Sequence, residues 1–167
     1  MAPSSSSAAA GPARLWAPWR SAFVSRRAPL RGCFFCAAKR STADRRHHVV
    51  ARGRLVFALL NRYPYNNGHL MVAPYRHVGT LHAFSAPEWT ETLQLSRRLM
   101  KKVTAVMRPQ GFNLGLNLGR IAGAGVPGHL HLHLVPRWPG DTNFLPVLGS
   151  TKVISQSLDE LYTLLTA

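Results

Sequence analysis

The sequence predicts an α+β fold, an antiparallel sheet with one long helix packed on it and a short helix closing the chain. Three observations predict it. Candidate strands outnumber candidate helices and run consecutively, which favours antiparallel pairing. Ser85-Ala86-Pro87-Glu88 has the residue types of a capping box with proline just inside the start, and it opens a long stretch of helical periodicity. Gly128-His129-Leu130-His131-Leu132-His133-Leu134-Val135 alternates imidazole with aliphatic side chains, the period-2 pattern of an extended strand.

The elements follow in order. Residues 1–13 are Ser, Ala and Pro without a hydrophobic period, which predicts a disordered tail ahead of a single domain over 14–167. The segment from Arg14 to Arg31 is Arg-rich and free of acids, the composition of an organelle transit peptide. Within it, though, Leu15-Trp16-Ala17-Pro18-Trp19-Arg20 carries large aromatics suited to packing. The expected location is cytoplasmic, with a processed leader as the other reading. Strands are expected over His48–Arg52, Leu55–Leu60 and, after the Asn66-Asn67-Gly68 turn signal, His69–Ala73. The long helix shows Leu93, Met100, Val103 and Met107 at helical spacing and ends at Pro109 and Gly111. Phe112–Leu118 reads as a strand, Gly119–Gly128 as a loop, and Ser155–Leu165 as the closing helix.

Composition narrows the chemistry. At 167 residues the chain is long enough for one domain with a proper core. No apolar run approaches the ~20 residues of a membrane helix. Lys and Arg number 21 against six acids, a formal charge of +15, which suits a polyanionic ligand such as a nucleotide. No nucleic-acid-binding signature accompanies the charge, so nucleic acid is not the expected partner. The acids are Asp44, Glu88, Glu91, Asp141, Asp159 and Glu160. None pairs beside the histidine strand, which argues against a two-carboxylate glycosidase or an acid-rich magnesium site.

Proton transfer and nucleophilic work therefore fall to histidine. On an extended strand the three imidazoles of His129, His131 and His133 share one face at steps of roughly 6–7 Å, with Leu130, Leu132 and Leu134 facing a core. A neutral imidazole is a competent nucleophile when its other nitrogen is held by an acceptor. The run Gly119-Arg120-Ile121-Ala122-Gly123-Ala124-Gly125 lets backbone N–H groups approach phosphate oxygens. Zinc hydrolysis on the same strand is the competing chemistry, and it lacks the usual carboxylate base. Cys33 and Cys36 are the only cysteines and are spaced C-x-x-C. They can be a redox pair, half a zinc site or two buried thiols. No βαβ setting supports the redox version, and His47, His48 and His77 offer further zinc ligands outside the triad.

His129-Leu130-His131-Leu132-His133-Leu134-Val135 resembles the histidine-triad motif of the HIT superfamily of nucleotide hydrolases and transferases. Ala58-Leu59-Leu60-Asn61-Arg62-Tyr63-Pro64 and Gly68-His69-Leu70-Met71-Val72-Ala73-Pro74 extend the likeness upstream. Leu15–Arg20, Ala122–Gly125 and Val135–Phe144 resemble the bacterial branch related to diadenosine tetraphosphate phosphorylase. The resemblance implies a HIT-like fold, a homodimer, and a nucleotide substrate of the dinucleoside polyphosphate class. It implies His131 as nucleophile, forming a nucleotidyl-histidine intermediate, and His133 at a phosphate oxygen or the leaving group. It places Asn61 at the ribose and Asn117 on the phosphate side. Gly123, Ala124 and Gly125 fall beside the phosphate, and His69 lies in the Gly-His turn next to the nucleotide. It also implies a structural zinc on Cys33, Cys36, His77 and His129, with His47 or His48 as substitutes for His77, and no organic cofactor. A nucleoside phosphoramidate or aminoacyl-adenylate hydrolase needs the same residues and is the alternative enzyme; a nucleotide- or nucleic-acid-binding protein using the basic surface is the non-enzymatic alternative.

Overall fold

The structure is a computed structural model that describes residues 32–142 and 154–167. The readings of 1–13 as a tail, of the Arg-rich segment to Arg31 and of Asn143-Phe144 lie outside the described residues. Five strands form one antiparallel sheet: β1 (Val49–Arg52), β2 (Val56–Leu60), β3 (Leu70–Pro74), β4 (Gly111–Leu116) and β5 (Leu132–Arg137), in the order β1-β2-β3-β5-β4. Four α-helices accompany them among the described residues, α1 (Phe34–Arg40), α2 (Asp44–His47), α3 (Ala86–Met107) and α4 (Leu158–Thr166), along with a 3-10 turn at Leu81–Ala83. No helix there is long and apolar enough to cross a membrane.

Alternation along the strands divides the core in two. Val56, Ala58, Leu60, Leu70, Val72, Leu132 and Leu134 face α3 and α4, where Leu95, Leu99, Val103, Leu161 and Leu165 meet them. On the other face Phe57, Leu59, Met71 and Ala73 pack with Val49 and with Phe35 and Ala38 of α1. That second cluster stops at β3. Beyond it, the register pairs His133 with Gly115 and Val135 with Asn113, so the β5–β4 half of the face is built from polar and small residues.

Local chemistry explains the long helix. Ser85 and Glu88 form the reciprocal capping box, and Arg108 ends the helix in the left-handed region at φ 50° before Pro109. Of the expected stripe, Val103 is buried and Met100 and Met107 pack against the core, whereas Leu93 does not. Leu93 is 55% exposed, while Thr92, Leu95, Ser96, Leu99 and Val103 face the sheet. Ser96 can occupy a core position because its hydroxyl donates to the Thr92 carbonyl at 2.8 Å. The closing helix starts later than expected, at its own capping box of Ser157 and Glu160. Helices α1 and α2 were not anticipated from the sequence; neither has a side-chain N-cap bond.

The histidine strand is also corrected. Regular pairing begins at Leu132, opposite Val72 and Leu116. His129 sits in a turn with its N–H on the Val126 carbonyl, and the Leu130 N–H bonds the Val78 carbonyl at 2.6 Å. The partner strand ends at Pro74, which has no N–H to offer. Its carbonyl is taken at 2.9 Å by the His129 ring, so the ladder cannot extend back to Gly128.

Candidate active site

A cleft of about 410 Å³ opens between α1, α2 and the face of the sheet, with His131 and His133 in its wall. Asn61, Tyr65, Gly123 and Gly125 also line it, and its apolar part comes from Phe34, Ala37, Leu59 and Met71. Arg46 and Arg62 supply the positive charge, and His47 adds a polar ring to the lining. No carboxylate lines it. Asp44 is engaged with Arg52, Glu88 with Arg76 and Asp141 with Arg137, while Asp159 lies outside the cleft, 3.6 Å from the ring of His48 in its wall. Glu91 accepts from the Arg54 and Leu55 backbone, and Glu160 from the Ser157 backbone.

Hydrogen bonds fix which ring nitrogens carry protons. His131 Nδ1 lies 2.8 Å from the His129 carbonyl, which can only accept. Nδ1 therefore holds the proton and Nε2 is left with a free lone pair. A second chain of bonds sets His133. The Tyr65 backbone N–H donates to His69 Nδ1 at 3.0 Å, so neutral His69 carries its proton on Nε2. That proton points at His133 Nδ1, 2.9 Å away. His133 must then hold its own proton on Nε2, and this buried nitrogen has no partner. An unsatisfied buried donor beside a bare imidazole nitrogen is an arrangement for gripping an anion's oxygen.

Burial keeps these rings neutral. Desolvation first, then the neighbouring His133 and His131, lowers the His69 pKa to about 3. Desolvation, then His131, lowers that of His133 to about 4. His131 is shifted down by burial, opposed by its bond to the His129 carbonyl. Near neutral pH none of the three is charged, so His131 Nε2 is free to attack.

The other expected positions fall as follows. Asn61 lines the cleft with Oδ1 on the Tyr63 N–H and Nδ2 at 3.2 Å from His69 Nδ1. His69 is buried behind His133 rather than in the wall. Asn117 Nδ2 contacts the Tyr65 hydroxyl at 3.2 Å and the Gly123 carbonyl at 3.4 Å, at the cleft's margin. The glycine loop offers fewer free donors than its composition suggests. Gly123 N–H bonds the Arg120 carbonyl and Ala124 N–H the Gly119 carbonyl, with Gly123 at φ +90° to make the turn. Ala124 is buried. Among the described residues, Gly125 is the member of the trio whose N–H is unspent.

Below the cleft Cys33, Cys36, His77 and His129 bring their ligand atoms within 4.8 Å of one another. His129 Nδ1 is 3.3 Å from Cys33 Sγ, 3.7 Å from Cys36 Sγ and 3.3 Å from His77 Nδ1. Cys36 Sγ is 3.3 Å from His77 Nδ1. Metal–ligand bonds of about 2.0–2.3 Å in a tetrahedron give edges of roughly 3.3–3.8 Å; these four distances match that range, and two thiols with two imidazoles are the donor types of a tetrahedral zinc site. The His129 Nε2–H donates to the Pro74 carbonyl, leaving Nδ1 as the nitrogen turned to the cluster. His47 and His48 stand apart, both in the cleft wall, so His77 is the fourth member. Burial raises the pKa of the Cys33 thiol, a shift that a bound cation reverses.

Two residues of the site were not singled out in the sequence. Tyr65 sets the His69 tautomer through its backbone and stacks its ring 4.6 Å from His69 and 5.3 Å from His133. Phe35 spans the cluster and the nucleophile, its ring 4.9 Å from His129 and 4.8 Å from His131. Tyr65 lies inside the Pro64–Gly68 turn, where a backbone role leaves no residue-type signal. Phe35 sits within C-x-x-C, a spacing whose signal lies in the two cysteines and not in the residues between them.

The model of the HIT domain matches residues 42–140. An AP-4-A phosphorylase of Mycobacterium tuberculosis is 42% identical over 160 residues, covering 91% of this chain and 82% of the relative. Among solved structures, a Zn-bound histidine triad family protein from Mycobacterium smegmatis superposes with TM-score 0.64 at 23% identity. It covers 81% of this chain and 91% of its own. A hypothetical histidine triad nucleotide-binding protein from Sulfolobus tokodaii gives TM-score 0.61 at 27% identity, covering 80% and 87%. With the three histidines in place and the likeness spanning nearly the whole length, this chain belongs to the HIT domain family.

Proposed function

We propose that the chain splits dinucleoside polyphosphates of the diadenosine tetraphosphate type by transferring a nucleotidyl group to inorganic phosphate through His131. The observation that carries this is the pair of opposed imidazoles. His131 offers a bare Nε2 because its Nδ1 proton is held by the His129 carbonyl, and His133 offers an unpartnered Nε2–H. The name of the 42% identical relative supports the substrate class.

The nucleoside enters the apolar part of the cleft, and Asn61 faces its ribose. The His131 Nε2 lone pair attacks the α-phosphorus; the N–P bond forms as the bond to the bridging oxygen breaks. That oxygen takes the electron pair, and the His133 Nε2–H and the Gly125 N–H stabilise the charge. Phosphate then attacks the nucleotidyl-histidine, and the imidazole leaves with its lone pair restored. From diadenosine tetraphosphate the products are ATP and ADP.

Structural zinc on Cys33, Cys36, His77 and His129 belongs to the same reading. When bound it ties α1 to the segment entering β5, and His129 links that tie to the carbonyl orienting His131. We further propose a homodimer joined along β4. It is an edge strand with Leu114 43% exposed, and Leu118 just beyond it is 46% exposed.

The test is trapping with labelled substrate. Wild-type protein quenched during turnover should carry labelled nucleotide on His131, and His131→Ala should bind nucleotide without turnover. ADP should form only when phosphate is present. AMP formed whether or not phosphate is added would reassign the enzyme to hydrolysis, and full activity of His131→Ala would remove the mechanism.

A further inference from the structure

We propose that a pocket beyond His133 is a subsite for the second nucleoside, the one on the departing side of the polyphosphate. The inference rests on the nucleotidyl-transfer reading above and adds where the far half of the substrate lies. The pocket, about 250 Å³, is lined by Tyr65, Asn66, Asn113, Val135, Arg137 and Thr142 along with Asp141.

Its position follows from the sheet. His131, His133, Val135 and Arg137 alternate toward one side as the chain enters and follows β5. From His131 to Val135 is four residues, about 13 Å in extended backbone, and to Arg137 about 20 Å. A nucleoside held at Val135–Arg137 is therefore separated from the attacked phosphorus by a run of phosphates rather than by one. The way between is open. Gly115 pairs with His133, and a Cβ built on Gly115 meets nothing within 4 Å. Tyr65 lines both cavities.

The chemistry of the lining is that of a nucleoside site and not a phosphate site. Asp141 neutralises the Arg137 guanidinium with contacts of 2.6 and 2.8 Å, and Asn113 Oδ1 takes a third donor at 2.7 Å. Charge is thus cancelled where a phosphate would need it. An aromatic ring, an aliphatic Val135 and uncharged polar groups are left. Fixing Asn113 Oδ1 on Arg137 turns the Asn113 amide nitrogen outward as a donor to base or ribose acceptors. The Tyr65 ring, half exposed and held from behind by His69 and His133, supplies a stacking face. The phosphates in between pass the unpartnered His133 Nε2–H.

The test compares two substrates sharing the first nucleoside. Diadenosine tetraphosphate needs the second subsite; adenosine 5′-phosphoramidate, whose leaving group is ammonia, does not. Two variants are measured on both: Asn113→Leu, which fills the pocket and removes the donor, and Gly115→Val, which narrows the passage with a strand-compatible side chain. The ratio of kcat/KM for the tetraphosphate to that for the phosphoramidate should fall about tenfold in each, chiefly through KM for the tetraphosphate. A ratio unchanged within twofold in both variants overturns the subsite, as does an equal loss on both substrates. Wild-type protein that cleaves neither substrate defeats the nucleotidyl-transfer reading, and the subsite with it.

Discussion

The backbone N–H of Tyr65 lies 3.0 Å from Nδ1 of His69, and that donor, joined by Asn61 Nδ2 at 3.2 Å, decides the proton positions of two histidines. A main-chain N–H cannot act as an acceptor, so His69 must present its proton to His133, and His133 must present its own to the cleft. His69 is therefore a positioning residue. His69→Leu should lower kcat about 10- to 100-fold, the scale of a lost buried hydrogen bond expressed as a rate, with KM little changed. His69→Gln keeps an amide N–H for His133 and should recover much of the loss. Nitrogen-15 NMR of the His133 ring separates this from a packing effect: the Nε2–H tautomer should be lost in His69→Leu and kept in His69→Gln. A His133 tautomer unchanged by His69→Leu would contradict the relay.

Acid should destabilise the fold in two overlapping stages. His69 and His133 have folded pKa values lowered to about 3 and 4 from an ordinary value near 6.5. Their neutral rings favour the folded state fully above pH 6.5, and that contribution is lost as pH falls through their folded values. Glu88, held mainly by Arg76, is lowered to about 2 from 4.5, so its contribution is present above pH 4.5 and disappears toward pH 2. Thermal melts should therefore decline from near pH 6.5 downward. His69→Gln should flatten the upper stage, and Glu88→Gln the lower one. Glu88→Gln should also cost about 1–2 kcal/mol near neutral pH through the weakened capping box. An upper stage as steep in His69→Gln as in wild type would assign it to other groups.

The cysteine–histidine cluster gives a third expectation. Purified protein should contain zinc near one equivalent per chain, and a strong chelator should lower the melting temperature, because binding to the folded donor set is folding free energy. Cys36→Ser should lose the metal and the chelator sensitivity together. The cobalt-substituted protein should show thiolate-to-metal charge-transfer absorption that Cys36→Ser lacks. Metal-free protein with an unaltered melting curve would mean the four side chains are held by hydrogen bonds alone.

Much of this architecture is legible in residue order because it rests on short-range patterns. The capping box at Ser85 and the strands over 49–52 and 56–60 follow from local periodicity and turn chemistry. The His131 and His133 positions follow from alternation. What was not legible depends on contacts distant in sequence. His129 leaves the expected strand because Pro74, 55 positions earlier, ends the ladder and offers its carbonyl to the ring. The donors of Gly123 and Ala124 are spent on their own loop, which glycine content cannot reveal. Leu93 points outward because the sheet accepts Thr92 and Ser96 instead, and only the helix's rotation against the sheet decides that. Tyr65 acts through a backbone atom that every residue but proline possesses.

Gly68 joins the turn to the site and supplies the last prediction. It has φ +70°, a conformation that costs a residue with a side chain about 1–2 kcal/mol. A Cβ there would also lie 2.9 Å from both Cε and Sδ of Met107. The two causes are separable, because the end of a methionine is flexible whereas the backbone angle is imposed by the turn carrying His69 into β3. Gly68→Ala should lower the melting temperature by about 2–6 °C. In a double-mutant cycle with Met107→Ala the coupling should be close to zero, within about 0.5 kcal/mol. Strong rescue by Met107→Ala would instead mean that the packing of α3 against the turn, and not the backbone angle, is what requires glycine.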